Sequence, residues 1–387
     1  MNIVELKETF IGLYGDDTQA IYKFFSPGRV NLIGEHTDYN GGYVFPCALS
    51  FGTYLLVRKN NSRRIRLATT NFDHRAEVNL DSPFEKEGKS WFNYPVGVLN
   101  ELRNVAKEIE GVDLLYSGDI PNGAGLSSSA SIEMVTAFAM NQIFGFGLDR
   151  WEMVKISQKA ENVFVGVNCG IMDQFASGMG AKDHALFLNC DTLEFKKVPL
   201  VLEGMKIVIA NTNKRRGLAD SKYNERRAQC ESAVEAIRTK KQIRYLSDLN
   251  LEEFNTLSHL ITDEIERKRA KHVITENSRT LTAIEALNEG DIKTFGILMN
   301  QSHDSLKEDY EVTGKELDTL VDEARKIEGT LGSRMTGAGF GGCTVSIVKE
   351  HAVESFIAGV GKGYTDRTGL KADFYVAEIG DGSKEII

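Results

Sequence analysis

Three stretches of this 387-residue chain gather the side chains and bare backbone that chemistry requires. The first, Gly28 to Gly42, reads GRVNLIGEHTDYNGG and crowds Arg29, Glu35, His36 and Asp38 among further polar residues and four glycines. Such a set recognises a hydroxyl-rich ligand by hydrogen bonds, which charged partners strengthen. The competing assignment is a polar surface loop, with Asp38 and Asn40 supplying turn chemistry. A metal site is a weaker assignment, because no second histidine lies nearby at ligand spacing.

The second stretch, Pro121 to Ser131, reads PNGAGLSSSAS. An apparent strand, Asp113–Ser117, precedes it, and Ile132, Val135, Ala139 and Ile143 repeat at helical spacing after it. Glycines and serines at a helix N-terminus make an anion site, because unpaired N–H groups point outward and glycine admits a phosphate closely. Ser127, Ser128 and Ser129 add hydroxyls able to bind phosphate or a metal. The alternative is an ordinary helix cap, for which serine is favoured. No G-x-x-x-x-G-K-[ST] occurs, so phosphate charge must be neutralised from elsewhere, and a magnesium ion is the natural agent. In the third stretch, TGAGFGGC from Thr336 to Cys343, Gly337, Gly339 and Gly342 match G-x-G-x-x-G in form. CTVSIV follows and reads as a strand where a dinucleotide fold needs a helix,. The glycines therefore predict a tight loop whose backbone approaches a ligand or another loop.

Elements on both sides must position these loops. Residues 218–240, 264–288, 291–309 and 315–328 carry apolar side chains at three- and four-residue spacing and read as helices,. Val44 to Val57 (with Gly52 as a break), Ile65–Thr69, Ala185–Asn189, Met205–Ala210, Cys343–Val348 and Phe374–Ala377 read as strands,. The order is not a regular βαβα alternation, which points to an α+β fold. All six prolines lie at or before Pro199, which suggests a change of architecture near residue 200. Two domains follow as the expectation, 1–200 and 201–387.

Composition excludes several classes. The net charge is −9, so a broadly basic nucleic-acid binder is excluded,. No apolar run approaches the ~20 residues of a membrane span, and MNIVELKETF has no signal core,. Five widely spaced cysteines, with no C-x-x-C, argue against a zinc site or disulfide framework and for a reducing cytoplasm,. The expected partners are small molecules, with no nucleic acid and no membrane, and the expected state is a monomer. The acidic C-terminal stretch EIGDGSKEII yields no assignment.

The 28–42 segment resembles the galactokinase signature. PNGAGLSSSAS resembles the nucleotide-binding motif of the wider GHMP kinases (galactokinase, homoserine, mevalonate and phosphomevalonate kinases). RMTGAGFGGC, from Arg334, resembles their third motif. The resemblance implies a two-lobed α+β fold, with mixed sheets, helices in both lobes and the active site in the cleft between them. It implies transfer of the γ-phosphoryl of ATP to the C1 hydroxyl of α-D-galactose. Asp173, in NCGIMDQFAS, would be the catalytic carboxylate, and Arg29 would pair with it and stabilise the transferring phosphoryl,. Ser129 and Glu161 would hold Mg2+,. Gly123, Ala124, Gly125, Leu126, Ser127, Ser128 and Ser129 would wrap the ATP phosphates, with Thr69 and Trp91 near the adenosine. Glu35, His36, Thr37, Asp38, Gly170, Asp173 and Tyr223 would contact the sugar. From pattern alone, Asp173 is equally a capping or salt-bridged residue, Glu161 a charge on a helical face, and Tyr223 a packing residue. A kinase for N-acetylgalactosamine and a non-catalytic sensor of galactose and ATP are the other functions considered. The intact GLSSSAS loop, with Arg29 and Asp173, argues against the sensor.

Overall fold

A computed structural model describes residues 2–105, 108–121, 125–214 and 219–387. Among these residues the strands form three sheets. The largest has the strand order Lys384–Glu385, Tyr22–Asn31, Pro46–Lys59, Val112–Gly118, Arg64–Thr69, Ala76–Asn79. Its pairs are antiparallel except Arg64–Thr69 with Val112–Gly118. Period-two alternation decides what each face carries. Leu55, Val57, Leu114 and Tyr116 join a core with helices Asn93–Val105, Ser128–Phe144, Arg150–Lys159 and Met172–Met179. The intervening Leu56 and Leu115 pack against Leu6 and Phe10 of helix Ile3–Tyr14 on the other face.

The second sheet, Thr330–Thr336, Cys343–Lys349, Met205–Asn211, Asp373–Ala377, is wholly antiparallel. Ile207, Ile209, Val345 and Ile347 turn toward Phe295 and Met299, and toward Leu32, Phe45 and Leu49 from the first half of the chain. One continuous apolar core therefore joins the two lobes. Val208 and Ala210 face Phe356, Val360 and Tyr364 of helix Val353–Thr368. Helices Ala219–Arg238, Glu264–Asn288, Ile292–Glu308 and Gly314–Lys326 fall within two residues of the bounds that periodicity predicts. Helices and sheets occur in both halves, as an α+β fold requires; among the described residues only the first sheet is mixed, and the expected mixed sheet of the second half is antiparallel throughout. No helix among the described residues is long and apolar enough to cross a membrane.

Two local features differ from the sequence reading. Gly52 does not break its strand, which runs unbroken from Pro46 to Lys59. A side chain there would collide with the Ser26 carbonyl of the neighbouring strand, so glycine is what allows the close pairing,. The unassigned C-terminal stretch is a return strap. Lys384–Glu385 pairs with Tyr22–Asn31, the Gly382 and Ser383 amides donate to the Gly180 and Ser177 carbonyls at 2.8 and 2.9 Å, and the Ser383 and Ser26 hydroxyls lie 2.9 Å apart.

Candidate active site

The three motifs meet. Strand Tyr22–Asn31 delivers Arg29 just after a register shift, the first turn of helix Met172–Met179 delivers Asp173, and helix Ser128–Phe144 points its N-terminus between them. The Arg29 Nε and Nη2 donate to Asp173 Oδ1 and Oδ2, each at 2.8 Å, a two-point pairing that fixes the carboxylate plane,. The remaining Nη1 donates to the Gly125 carbonyl at 2.9 Å, and the Arg29 amide to Leu126 O at 3.2 Å. One buried guanidinium thus ties the carboxylate to the glycine-rich loop.

The serine at the head of that helix is not an ordinary cap. Ser127 has φ +59°, makes no capping hydrogen bond, and its hydroxyl donates to Asp173 Oδ2 at 2.6 Å. A non-glycine residue held in the left-handed region carries strain, which here aims a side chain. Gly123 and Ala124 lie outside the described residues.

The loop at 337–342 joins two antiparallel strands, as the rejection of a dinucleotide fold requires. Its Gly337 amide donates to Glu35 Oε2 at 3.0 Å, and Arg334 Nη2 donates to the same oxygen at 3.0 Å. Even so, burial raises the Glu35 carboxyl above the usual carboxylate range. Behind it, Glu276 Oε1 accepts from the Gly34 and Glu35 amides and from the Ser302 hydroxyl. Arg279 pairs with the other oxygen of Glu276 at 2.8 Å; burial raises the Glu276 carboxyl, but the Arg279 charge, with His272 and Arg334, outweighs it and holds that carboxyl down to about 2.

A cavity of about 760 Å³ opens onto these groups. Arg29, Glu35, His36, Asp38, Gly125, Ser127, Ser128, Ser129, Glu161, Gly170, Asp173 and Tyr223 all line it. Burial and then the Asp173 charge push the Asp38 carboxyl up to about 7. A side chain at Gly170 would collide with that carboxyl, so glycine lets the loop close on Asp38,. Tyr223 lies with its ring centroid 5.6 Å from that of His36. Thr37 turns away from the cavity, its hydroxyl within 2.9 Å of the Gly34 carbonyl and 2.7 Å of that of Tyr43. Thr69 and Trp91 lie outside this lining, both beside Tyr116: Thr69 is its strand partner and Trp91 packs on its ring at 5.7 Å.

Glu161 sits in a single π-helical turn, Ala160–Val165. Burial and Asp173 push its carboxyl up to about 7, against hydrogen bonds from Cys169, Ser129 and Gln174. The Gln174 amide nitrogen donates to Glu161 Oε2 at 2.6 Å and to Glu133 Oε2 at 3.0 Å. Sequence reasoning missed Glu133 and Gln174, and also Ser221, Asn224 and Ala338 of the lining. Glu133 had a signal: it is the only charged residue in the helix SSASIEMVTAFAMNQIF, and it is fully buried.

This geometry agrees with what the chain is similar to. Residues 8–59 match the galactokinase galactose-binding signature, 93–181 the GHMP kinases N terminal domain and 283–366 the GHMP kinases C terminal domain. A galactokinase of Fusobacterium nucleatum is 56% identical over 95% of both chains. One of Bacillus subtilis is 50% identical over 99% of this chain and 98% of its own. A crystal structure of Lactococcus lactis galactokinase complexed with galactose superposes with a TM-score of 0.96 at 46% identity, over 99% of this chain and 100% of that one. Methanococcus jannaschii mevalonate kinase, at 21% identity and a TM-score of 0.66, shares the fold. With half or more of the residues identical over nearly the whole length, and the three motifs converging on one cavity, the chain belongs to the galactokinase family of GHMP kinases.

Proposed function

We infer that the chain transfers the γ-phosphoryl group of ATP to the C1 hydroxyl of α-D-galactose, giving galactose 1-phosphate and ADP, the entry step of the Leloir pathway. The observation that carries this is the Arg29–Asp173 pair, bound to the phosphate-loop carbonyl of Gly125 on one side and open to the cavity on the other.

In the proposed roles, Glu35, His36, Asp38, Gly170 and Tyr223 receive the sugar hydroxyls. Asp173 accepts the C1 hydroxyl proton as that oxygen attacks. Arg29 keeps the carboxylate oriented and offsets charge on the moving phosphoryl group. Residues 125–129 take the phosphates by backbone and hydroxyl, and Thr69 and Trp91 flank the adenosine. The lobes are proposed as 1–200 and 201–387, working as a monomer in the cytoplasm.

Magnesium fits the residues present. Glu161 and Ser129 offer hard oxygen donors on the cavity wall, and the buried Gln174 Oε1 behind Glu161 lacks a hydrogen-bond partner,. No three His, Cys, Asp or Glu among the described residues could hold a metal alone. Glu161 and Ser129 would therefore share the ion with ATP phosphates and water. Bound there, it supplies positive charge against the phosphate oxygens.

ATP consumption with and without magnesium, comparing galactose, glucose, N-acetylgalactosamine, homoserine and mevalonate, tests the assignment. Galactose turns over far above the rest, and only with the metal. Glucose is poor, because a site built to bond a hydroxyl rejects its misplaced epimer. Turnover with another substrate overturns the sugar assignment. Tyr223→Phe is expected to raise the galactose KM about 3- to 10-fold, the loss of one hydrogen bond, with kcat little changed. An unchanged KM removes Tyr223 from the sugar contacts.

A further inference from the structure

Behind His36 runs a line of hydrogen bonds that phosphoryl transfer does not use. His36 Nδ1 lies 2.7 Å from the Tyr39 hydroxyl. That hydroxyl lies 2.8 Å from the Tyr310 hydroxyl, which lies 3.2 Å from the Cys230 thiol. Tyr310 and Cys230 are buried. The line crosses from the 28–42 segment to the end of helix Ile292–Glu308 and to helix Ala219–Arg238. His36 is itself held at φ +60°, with the Tyr310 ring centroid 4.9 Å from its own. Its Nε2 is buried and makes no hydrogen bond of good geometry, with the Ala338 backbone as a competing neighbour, and the residue lines the cavity.

The direction of the line follows from donor chemistry. Burial pushes the His36 pKa down to about 3, so the ring is neutral, with one nitrogen protonated and the other bare,. A phenol donates better than it accepts. The 2.7 Å separation is at the short edge for an N–H donor and ordinary for a hydroxyl donor,. Donation by Tyr39 to Nδ1 uses the one hydroxyl proton of Tyr39, which then requires Tyr310 to donate to Tyr39 and the Cys230 thiol to Tyr310,. Hydrogen bonds pointing one way along a chain strengthen each other.

We propose that Tyr39 and Tyr310 are positioning residues that fix His36 as the Nε2–H tautomer, so that it offers the sugar a hydrogen-bond donor. This rests on the assignment of the cavity to the sugar. The chemistry is complementary: Glu35, Asp38 and Asp173 supply carboxyl oxygens for hydroxyl protons, and a hydroxyl that donates to one still has lone pairs to satisfy. The tautomer makes His36 the partner for one of them.

Long-range 1H–15N spectra of histidine-labelled protein read the tautomer directly, with His36→Gln identifying the signal. The wild type is expected to show a protonated Nε2 and a bare Nδ1. Tyr39→Phe is expected to shift the Nδ1 signal and raise the galactose KM about 3- to 10-fold, leaving kcat and the ATP KM within about twofold. Tyr310→Phe moves both in the same direction by less. Tyr364→Phe, which removes a buried hydroxyl donating to Thr212 O at 2.7 Å, is the control and leaves the His36 signal in place. A protonated Nδ1 in the wild type overturns the proposal, as does a galactose KM that ignores Tyr39→Phe but responds to His36→Gln. If His36→Gln also leaves that KM unchanged, the sugar assignment of His36 fails, and the spectrum still decides the tautomer. Should Tyr310→Phe not fold, the wild-type spectrum and Tyr39→Phe suffice.

Discussion

Asp173→Asn is expected to lower kcat by about 10²- to 10⁴-fold, the usual weight of a positioned general base, while galactose still binds. The amide keeps the shape of the carboxylate and one acceptor oxygen, so with that oxygen in the Oδ2 position Ser127 and the Arg29 Nη2 donor retain a partner. What it loses is the capacity to take a proton and the charge that Arg29 balances. Calorimetry of galactose binding, run beside single-turnover kinetics, separates the two effects. Turnover near wild type would remove Asp173 from the chemistry. A loss of binding as large as the loss of turnover would make it a sugar-holding group instead.

Arg334→Met is expected to cost about 3–5 kcal/mol of stability, because it leaves the buried Glu35 carboxylate without its cation,. The sign of the pH dependence follows from Glu35. Its carboxyl is already raised by burial with Arg334 present, and losing that charge raises it further. A group whose folded pKa exceeds its unfolded value costs stability above the folded pKa and recovers it as the proton is taken up. The deficit of the variant should therefore grow as pH rises through the Glu35 titration and shrink as pH falls below it. Denaturant unfolding of both proteins across a pH series checks this. Equal deficits would show that lost packing of the long side chain, rather than the stranded charge, sets the cost.

Much of this arrangement was legible because its parts are local in the chain. The helix bounds follow from apolar spacing, and the strand after TGAGFGG by itself rules out a dinucleotide fold. Arg29, Glu35, His36 and Asp38 announced themselves as polar residues crowded among glycines. Asp173, Glu161 and Tyr223 carry no such local signal and were reachable only through the family resemblance. Tertiary contacts hid the rest. Gly52 reads as a break, yet it is a requirement of the neighbouring strand, which no local pattern reveals. Ser127 reads as a cap, but a partner 46 positions away claims its hydroxyl. Tyr39 and Tyr310 meet across 271 positions, and neither HTDYNGG nor KEDYEVT gives a hint of whom the hydroxyl addresses.

The return strap has a consequence for how the site is assembled. Tyr22–Asn31, the strand that carries Arg29, has Lys384–Glu385 along its edge. The same segment ties that strand to helix Met172–Met179 through Ser26, Ser383 and Ser177, the first two 357 positions apart. Contacts of such long sequence separation are slow to form, because the loop must close before they add anything. Until the strap docks, the strand presents an open row of backbone donors and acceptors, the kind of edge that invites foreign strands. A partly folded chain with the strap undocked would keep every motif of the site and lack the tie between its two catalytic elements, so on refolding activity should appear with the docking of the strap and not before it.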